Sequence, residues 1–362
     1  MKIGIITYHF AVNYGAILQC YALQSYLQEN GYEVEILNYV NDKQEKNNRI
    51  FKYGGIKSFI INMFLLPFIP QIAIKRDKFR KFSNNYLNLS KRLFNEKMLK
   101  EYIDENKFDY IITGSDQVFN PNINDFDRSF LFPFKTNAKK ISYAASTGNA
   151  NAEDIKKIEK YIEDFYKISI REESDKNKFN IDLKSKIDTV CDPVILQNKE
   201  KWIKFVNENK KNKKKYLLCY FLHKDLFNRE YKIAEDIANQ QGLKMIAINV
   251  RYSRQSIRKN TLYDVGPEEF INLIANADYV CTDSFHGTIF SIIFNKNFSC
   301  FDTRKNINDS RRKNILKEMK LLNRMVYIEN EKVELSDINY NDIQKNITKI
   351  REKAFDFLRC IK

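Results

Sequence analysis

Short apolar runs alternate with longer helical repeats along most of the chain. The first residues show the pattern, with a strand at 2–7, a helix from about 16 to 30 and a strand at 33–39. The apolar runs that we interpret as the main remaining strands lie at 110–113, 140–144, 167–170, 188–191, 216–221, 244–249, 279–282 and 297–301. Strands that alternate with helices in this way usually form parallel sheets with helices on their faces. The pattern therefore predicts an α/β fold.

A polar and basic stretch at 197–215 divides this pattern into two halves. A chain of 362 residues also exceeds what a single core usually serves. We therefore predict an N-terminal Rossmann-like domain at 1–195, a second one at 196–340 and a C-terminal helix at 341–362, with a return to the first domain as one possible path. Two Rossmann-like domains that face a cleft indicate the GT-B-type glycosyltransferase architecture, with ligands at the carboxyl ends of the strands.

The segment 56–74 is strongly apolar but is interrupted by Lys57, Asn62, Pro67 and Pro70. A membrane-spanning helix needs ~20 nearly uninterrupted apolar residues. We therefore interpret the segment as a buried helix, with an interfacial loop that contacts a membrane peripherally as the alternative. The first residues form a strand directly, without the apolar region of a signal peptide. We expect a cytoplasmic protein, either free or at the inner face of the membrane.

The composition is that of a folded globular protein, with 43% hydrophobic and 30% charged residues. Its 61 basic and 46 acidic residues give a net charge of +15, which attracts phosphates, nucleotides, anionic glycans and lipid headgroups. No nucleic-acid-binding motif accompanies this charge, so we expect no nucleic-acid partner. The six cysteines are far apart and the chain has three histidines. We expect free thiols and no metal, with a carboxylate-bound Mg²⁺ as the remaining option. Glycine motifs for nicotinamide or P-loop nucleotides are absent from the sequence, and we expect no cofactor.

The segment 281–294, CTDSFHGTIFSIIF, is the most informative part of the sequence. An apolar strand is followed by a polar turn, and a helix is predicted to begin near Gly287. Ser284, His286, Gly287 and Thr288 then lie at a helix N-terminus, whose free N–H groups and dipole favour a phosphate or a carboxylate. The imidazole of His286 can exchange a proton near neutral pH. We predict an anion site with a catalytic histidine; a histidine that only caps the helix or hydrogen-bonds in the core is the alternative.

Polar residues also follow the strands of the first half, at the end where parallel sheets bind ligands. The residues that we predict to bind the hydroxyl groups of an acceptor are Asn13, Tyr14, Gly15, Asp116, Gln117, Asn120 and Ser146. Asp116 is the candidate to orient or deprotonate an acceptor hydroxyl. An Asx-turn or a helix cap is the alternative role for this aspartate.

Six distinctive segments occur in series along the chain. They are FAVNYGAILQCYALQ (10–24), GSDQVFNP (114–121), YAASTG (143–148), IREESD (170–175), CDPV (191–194) and NADYVCTDSFHGTIFSI (276–292). In this order they resemble the polysaccharide pyruvyl transferase family, over roughly residues 1–325. No single segment is decisive, but six in series are hard to obtain by chance.

The resemblance implies transfer of a pyruvyl group from phosphoenolpyruvate to a sugar or lipid-linked glycan, a precursor of a cell-surface, capsular or exopolysaccharide, with release of phosphate. It implies that His286 and Arg171 are catalytic, with the donor on the second domain and the acceptor on the first. Relatives that carry arginine two residues before this histidine have a direct anion clamp, whereas this chain has Ser284 there. The predicted loop 308–314 offers a substitute clamp, or else a solvated basic loop, through Arg311, Arg312 and Lys313.

Two other functions stay open at this point. A nucleotide-sugar glycosyltransferase of the same architecture would bind a nucleotide diphosphate where we place phosphoenolpyruvate. A non-catalytic glycan- or anion-binding relative would have kept the fold and lost the reaction. Ser284 is the feature that supports the second of these alternatives.

Overall fold

Two parallel β-sheets form the frame of the protein. The computed structural model describes residues 1–51, 54–123, 126–206, 215–223, 227–250, 252, 260–303, 311–330 and 332–362. Most of the predicted basic stretch 197–215, namely 207–214, thus lies outside the described residues. Every strand pair of the two sheets is parallel among the described residues. The predicted α/β fold is confirmed.

The first sheet contains six strands from the N-terminal half. They are β1 (Lys2–Ile6), β2 (Glu33–Ile36), β3 (Tyr110–Thr113), β4 (Lys139–Ala145), β5 (Lys167–Ile170) and β6 (Ile187–Thr189). Their order across the sheet is β2-β1-β3-β4-β5-β6. The order changes direction between β1 and β3, and a crevice at the carboxyl ends of two such strands is the usual ligand site of an open α/β sheet.

The second sheet contains six strands from the C-terminal half. They are β7 (Tyr216–Tyr220), β8 (Lys244–Ile248), β9 (Thr261–Leu262), β10 (Tyr279–Thr282), β11 (Asn297–Asp302) and β12 (Met325–Tyr327). Their order is β12-β11-β10-β7-β8-β9, which is the strand order of a Rossmann fold, with its switch point between β7 and β10. The strands lie on either side of the predicted division at 195, whose exact position stays a prediction.

The described α-helices include those predicted to begin at about residue 16 and at residue 341, which start within two residues of these positions. They are α1 (Tyr14–Glu29), α2 (Asp42–Asn47), α3 (Gly55–Leu65), α4 (Ile69–Tyr86), α5 (Glu96–Glu105), α6 (Ala152–Ile162), α7 (Ile181–Lys186), α8 (Pro193–Leu196), α9 (Lys199–Ile203), α10 (Phe227–Gln240), α11 (Pro267–Asn276), α12 (Phe285–Ile293), α13 (Arg311–Glu318) and α14 (Tyr340–Leu358). Asparagine side chains cap α1, α2, α5, α6, α7, α9 and α14. The asparagine-rich composition therefore satisfies N–H groups at helix starts that would otherwise lack a partner.

Two helix starts differ from the predictions at places that matter for function. α12 begins at Phe285 rather than near Gly287, because Ser284 is its N-cap, and His286 therefore lies inside the first turn. α13 begins at Arg311, so that the basic residues placed in a loop are part of a helix. The start of the predicted loop, 308–310, lies outside the described residues.

The two halves share one continuous apolar core. The ring of Tyr14 at the start of α1 stacks on Phe270 of α11, with centroids 4.3 Å apart, and its hydroxyl donates to the carbonyl of Val265 at 2.8 Å. The fully buried Trp202 packs edge-on against Tyr21 and Phe290. These contacts fix the first domain against the second.

The C-terminal helix α14 packs on residues of the N-terminal half. Phe355 stacks on Tyr26 with centroids 5.1 Å apart, and the hydroxyl of Tyr32 donates to the carbonyl of Ile361 at 2.7 Å. Arg351 donates to the carbonyls of Ile195 and Gln197. The helix thus returns from the second sheet to the first half of the chain.

The prediction that the apolar segment 56–74 is buried is wrong. Phe59, Met63 and Leu66 are about half or more exposed, at 66%, 53% and 48%. Among the described residues, one helical segment, Ser58–Tyr86, is long and apolar enough to cross a membrane, and 17% of its most apolar window is buried. Only every third or fourth side chain, such as Phe68 and Ile72, faces the protein.

Candidate active site between the two domains

The predicted catalytic residues meet where strands of both sheets end. Arg171 follows β5, Asp192 lies three residues after β6, and His286 lies in the first turn of the helix that follows β10. Ser115 follows β3, and Gly15 lies at the start of the helix after β1. All five belong to the carboxyl ends of parallel strands, as the crevice rule requires.

Arg171 is held from one side and is unpartnered on the other. Its Nη2 donates to the hydroxyl of Ser115 at 2.6 Å and lies 2.9 Å from Oδ2 of Asp192. The guanidinium also lies over the ring of Phe285, 4.9 Å from its centroid. Its Nε and Nη1 are buried and have no hydrogen-bond partner. Buried donors of this kind usually find a partner, so this guanidinium is prepared for an acceptor from outside the chain.

His286 shares the Asp192 carboxylate with Arg171. Its Nε2 lies 3.3 Å from Oδ2 of Asp192, and its side chain is 11% exposed. Burial acts to raise the pKa of Asp192, but the attraction of Arg171 and His286 outweighs it and holds the pKa below its usual value. Asp192 is therefore ionised at neutral pH and can orient the imidazole.

The backbone of the first loop closes over the imidazole. A Cβ atom at Gly15 would lie 2.0 Å from Nδ1 of His286, closer than any real contact. Any side chain at this position would therefore displace the imidazole from Asp192. The first domain thus contributes to the site by leaving room for a residue of the second.

The start of α12 corrects part of the predicted anion site. The N–H of Gly287 is donated to the hydroxyl of Ser284 at 3.3 Å, and the hydroxyl of Thr288 donates to the carbonyl of Ser284 at 3.0 Å. A Cβ at Gly287 would lie 2.5 Å from Oγ1 of Thr282, so glycine lets the helix begin against the strand end. Ser284, Gly287 and Thr288 thus hydrogen-bond to one another at the helix start. His286 is the residue of this turn whose side chain contacts Asp192.

A cavity of about 340 Å³ opens beside this cluster, within the usual size of ligand sites. Its cationic walls are Arg171, Lys176, Arg311 and Lys353, and its carboxyl groups are those of Glu172, Glu173, Asp192 and Glu318. Burial raises the pKa of Glu172 to about 7 and also raises the pKa of Glu318. His286 does not line this cavity directly, and Asp192 separates the two.

Glu172 is a second buried carboxyl group in the cavity wall. Its Oε1 accepts from the hydroxyl of Ser146 at 3.1 Å, whereas its Oε2 is buried without a hydrogen-bond partner. Burial raises its pKa to about 7, against the opposing attraction of Arg171. A carboxyl group that titrates near neutral pH at a ligand site can both take up and release a proton.

Replacement of Glu172 by glutamine should stabilise the protein at pH 8 and change it little at pH 5. The pKa of about 7 in the folded protein exceeds the value of ~4.3 in an unfolded chain. The stability linked to this proton is complete below pH ~4.3 and is lost as the pH rises through 7. At pH 8 the free energy of unfolding of the glutamine variant, measured by urea unfolding, should exceed that of the natural chain by on the order of 3 kcal/mol.

The matched control is Glu173→Gln, because the neighbouring side chain is 66% exposed and its removal should give no such gain. Equal changes in unfolding free energy at pH 5 and pH 8 for the Glu172 variant would contradict the raised pKa.

The three basic residues of α13 lie in different environments. Arg311 lines the cavity. Arg312 is buried, donates to the carbonyl of Asp283 and forms an ion pair with Asp302 at 2.8 Å, so it supports the start of α12 from behind. Lys313 is exposed and does not line the cavity. The predicted clamp of three residues is thus reduced to Arg311, since a helix directs its neighbours to other sides.

The predicted acceptor residues are only partly brought to this site. Tyr14 is a correction, because its side chain is buried between the domains and its hydroxyl has a backbone partner. Gln117 and Asn120 hydrogen-bond to each other at 2.9 Å. Ser146 donates to Glu172, so it supports the cavity wall from below.

Two acceptor candidates keep an accessible position. Asn13 is exposed and caps α1, accepting from the N–H of Ala16 at 3.3 Å. Asp116 is partly buried, in a left-handed conformation with φ of 69°. Neither residue lines the 340 Å³ cavity, so an acceptor that reaches them must extend from it. Their acceptor role stays a prediction.

One cluster in the described part of the chain has the donor set of a metal site. Nδ1 of His223 lies 2.9 Å from Oε1 of Glu230 and 3.0 Å from Oδ2 of Asp283. Both oxygens of Asp283 also accept backbone N–H groups, from Leu222 and His223. Burial lowers the pKa of His223, but the two carboxyl groups outweigh it and raise the value to about 9. A protonated histidine therefore occupies the position that a cation would take.

The six cysteines are all free, and five of them are buried. Burial raises the pKa of Cys191 to about 12, although this residue lines the cavity. A thiol with such a pKa is a poor nucleophile. The reaction chemistry must therefore come from other groups.

Asp192 and Glu172 lie in the distinctive segments 191–194 and 170–175, but the sequence alone predicted no role for either residue. Asp192 also caps α8 through the N–H of Val194 at 2.9 Å, and the sequence Asp-Pro is a common helix start. Because a helix cap already explains this aspartate, the sequence did not indicate its contacts with Arg171 and His286. Phe285, which packs on Arg171, carried no polar signal at all.

Comparison with known proteins identifies first the class and then the family. The chain has the two-domain α/β architecture of a putative UDP-N-acetylglucosamine 2-epimerase from Listeria monocytogenes, at 8% identity and a TM-score of 0.53, covering 99% of this chain and 90% of that one. It is also similar to UDP-GlcNAc 2-epimerase from Neisseria meningitidis bound to UDP-GlcNAc, at 10% identity and a TM-score of 0.51, covering 98% and 94%. At such identities the likeness concerns the fold alone, and it confirms the GT-B-type architecture.

The family follows from the sequence itself. A family model described as polysaccharide pyruvyl transferase matches residues 13–305. The chain belongs to this family, and its family is one of transferases. No curated protein matches the chain significantly.

Proposed function

We propose that this protein transfers a pyruvyl group from phosphoenolpyruvate to two hydroxyl groups of a sugar, forming a cyclic ketal and releasing phosphate. The observation that carries the proposal is the half-satisfied guanidinium of Arg171. Its Nη2 is fixed by Ser115 and Asp192, while its buried Nε and Nη1 lack partners beside a cavity of ligand size. The N–H groups of Nε and Nη1 point in different directions, so each can donate to a separate oxygen of a carboxylate or a phosphate.

The donor would lie between Arg171 and Arg311, which line the same cavity. These two charges offset those of the carboxylate and the phosphate, and they stabilise the phosphate as it leaves. Membership of the pyruvyl transferase family supports this choice of donor over other anions. Arg311 of the next helix, α13, then takes the role of the arginine that some relatives carry at the position of Ser284.

The chemistry begins with a proton. The methylene end of the donor would extend from the cavity past Asp192 to His286, which Asp192 orients and which acts as the general acid. A proton on the methylene carbon makes the neighbouring carbon electrophilic. A sugar hydroxyl adds to that carbon, the carbon–oxygen bond to phosphate breaks, and a second hydroxyl closes the ketal. One hydroxyl proton restores His286 and the other leaves on the phosphate, so protons balance.

Glu172 is placed to assist the hydroxyl steps. It lines the donor cavity, and its pKa of about 7 lets it take up the second hydroxyl proton and pass it to the departing phosphate. The acceptor would be a sugar of a cell-surface, capsular or exopolysaccharide precursor, free or lipid-linked, extending from the cavity towards Asn13 and Asp116. Transfer before export would take place on the cytoplasmic side, where phosphoenolpyruvate is made.

The proposal is tested by comparing two donors. We expect calorimetric titration to detect binding of phosphoenolpyruvate and not of UDP-GlcNAc, and we expect phosphate release from phosphoenolpyruvate with a panel of methyl glycosides and oligosaccharides. The ketal methyl group should appear in the proton spectrum of the product. Binding of UDP-GlcNAc without binding of phosphoenolpyruvate would instead indicate a nucleotide-sugar glycosyltransferase. Binding of phosphoenolpyruvate or glycan with no turnover on any acceptor would favour a non-catalytic relative.

A further inference from the structure

A solvent-exposed apolar surface lies on α3 and the start of α4. We call it the apolar face and define it by Phe59, Ile60, Ile61, Met63, Leu66 and Ile74. These six side chains are between 45% and 66% exposed. Soluble monomers rarely expose large apolar side chains in one contiguous run, and such a surface usually contacts something.

The segment that carries the apolar face is anchored to the protein body. Phe68 packs against Tyr263 of the second domain, with ring centroids 5.4 Å apart. Further along α4, Phe79 packs on the buried ring of Tyr14 at 5.2 Å, and Lys78 forms an ion pair with Glu269 at 2.7 Å. The apolar face therefore has a fixed position next to the junction of the two domains.

These anchors decide between spanning a membrane and lying on one. Although the helix Ser58–Tyr86 is long and apolar enough to cross a membrane, its polar half is held by the two domains through Lys78 and Phe79. Pro67 and Pro70 also interrupt it. Side chains of this kind fit the boundary between headgroups and acyl chains, into which apolar faces insert by ~5–10 Å.

The charge of the same segment selects the kind of surface. Residues 55–86 contain six basic residues and one acidic residue, and Arg80 and Lys81 are exposed on α4. The whole chain carries a net charge of +15. A second copy of the chain would bring two such charges together, whereas anionic lipid headgroups neutralise them.

We propose that the apolar face docks this protein on the surface of a bilayer that contains anionic phospholipid. The six apolar side chains enter the headgroup region, and the exposed Arg80 and Lys81 of α4 face the lipid phosphates. The inference rests on exposure and charge and does not depend on the proposed function. It gives the site a fixed height above a membrane, since α4 also contacts Tyr14 beside the first loop.

The experiment is cosedimentation of the full chain with vesicles of 70% phosphatidylcholine and 30% phosphatidylglycerol, and with vesicles of phosphatidylcholine alone. We expect binding to the anionic vesicles and little to the neutral ones. The variant Phe59→Ser/Ile60→Ser/Met63→Ser should bind the anionic vesicles at least roughly tenfold more weakly. The three substitutions remove apolar side chains that would be buried in the bilayer. Its thermal unfolding should be unchanged, because these side chains are exposed.

The matched control is Phe94→Ser/Ile181→Ser, which removes apolar side chains that are 41% and 82% exposed on other elements. This control should bind anionic vesicles like the natural chain. Equal binding by the triple variant, equal binding to neutral vesicles, or no binding by the natural chain would each overturn the proposal. So would a dimer of the natural chain, seen by light scattering, that the triple variant converts to a monomer while vesicle binding is absent.

Discussion

Replacement of His286 by alanine should abolish phosphate release while the protein stays folded. General acid–base groups typically contribute ~10²–10⁴-fold to a rate, so turnover should fall by roughly that factor or more. The side chain is 11% exposed and contacts Asp192, so His286→Gln is the companion variant that keeps volume and polarity but cannot give up a proton. Both should retain binding of phosphoenolpyruvate, measured by calorimetry, because neither touches Arg171.

The matched control for this prediction is His9→Gln. His9 is also buried, with its ring nitrogens near the carbonyl of Thr7 and the amide oxygen of Asn38, both at 3.1 Å. It has no contact with Asp192 or Arg171 among the contacts of the described residues, so this variant should keep most of its turnover. Full activity of His286→Gln would remove the imidazole from the mechanism.

Replacement of Arg171 should weaken donor binding and destabilise the fold, in proportions that depend on the substitute. Arg171→Met leaves the ionised Asp192 carboxylate buried without its closest cation, and breaking such a pair usually costs ~3–5 kcal/mol. Arg171→Lys keeps the charge but loses the planar guanidinium group and its fixed set of N–H donors. We expect lysine to lower the affinity for phosphoenolpyruvate roughly 10- to 100-fold with a smaller loss of unfolding free energy.

Arg324→Lys is the control for the stability effect. This arginine is also buried, and it donates to the carbonyls of Glu334 and Ser336 in the second domain. The variant should lose unfolding free energy without any change in KM for phosphoenolpyruvate. An Arg171→Lys protein with the natural KM would show that the unpartnered nitrogens do not meet the donor.

The fold was predictable because its strands are buried and its helices have asparagine caps. Apolar runs such as 110–113 and 279–282 match the observed strands β3 and β10 at both ends. The same reasoning gave a wrong prediction of burial for the segment 56–74. Its apolar composition predicted burial, but burial depends on what covers a surface, and no element within the described residues covers α3.

The candidate site was predictable where a residue has one role. His286 and Arg171 both lie beside the Asp192 carboxylate, although they follow strands of different sheets. The pattern could not reveal Asp192, whose Asp-Pro context has a sufficient explanation as a cap. Nor could it show that Tyr14 points between the domains, because the partner that buries it, Phe270, lies far away in the sequence.

The account depends on an anion beside Arg171, and a crystal structure of the protein with phosphoenolpyruvate tests this most directly. The account predicts density in the 340 Å³ cavity, with carboxylate or phosphate oxygens bonded to Nε and Nη1 of Arg171 and the methylene carbon turned towards His286. Phosphoenolpyruvate bound elsewhere, or a cavity that stays empty at saturating ligand while Arg171 keeps its present partners, would contradict it.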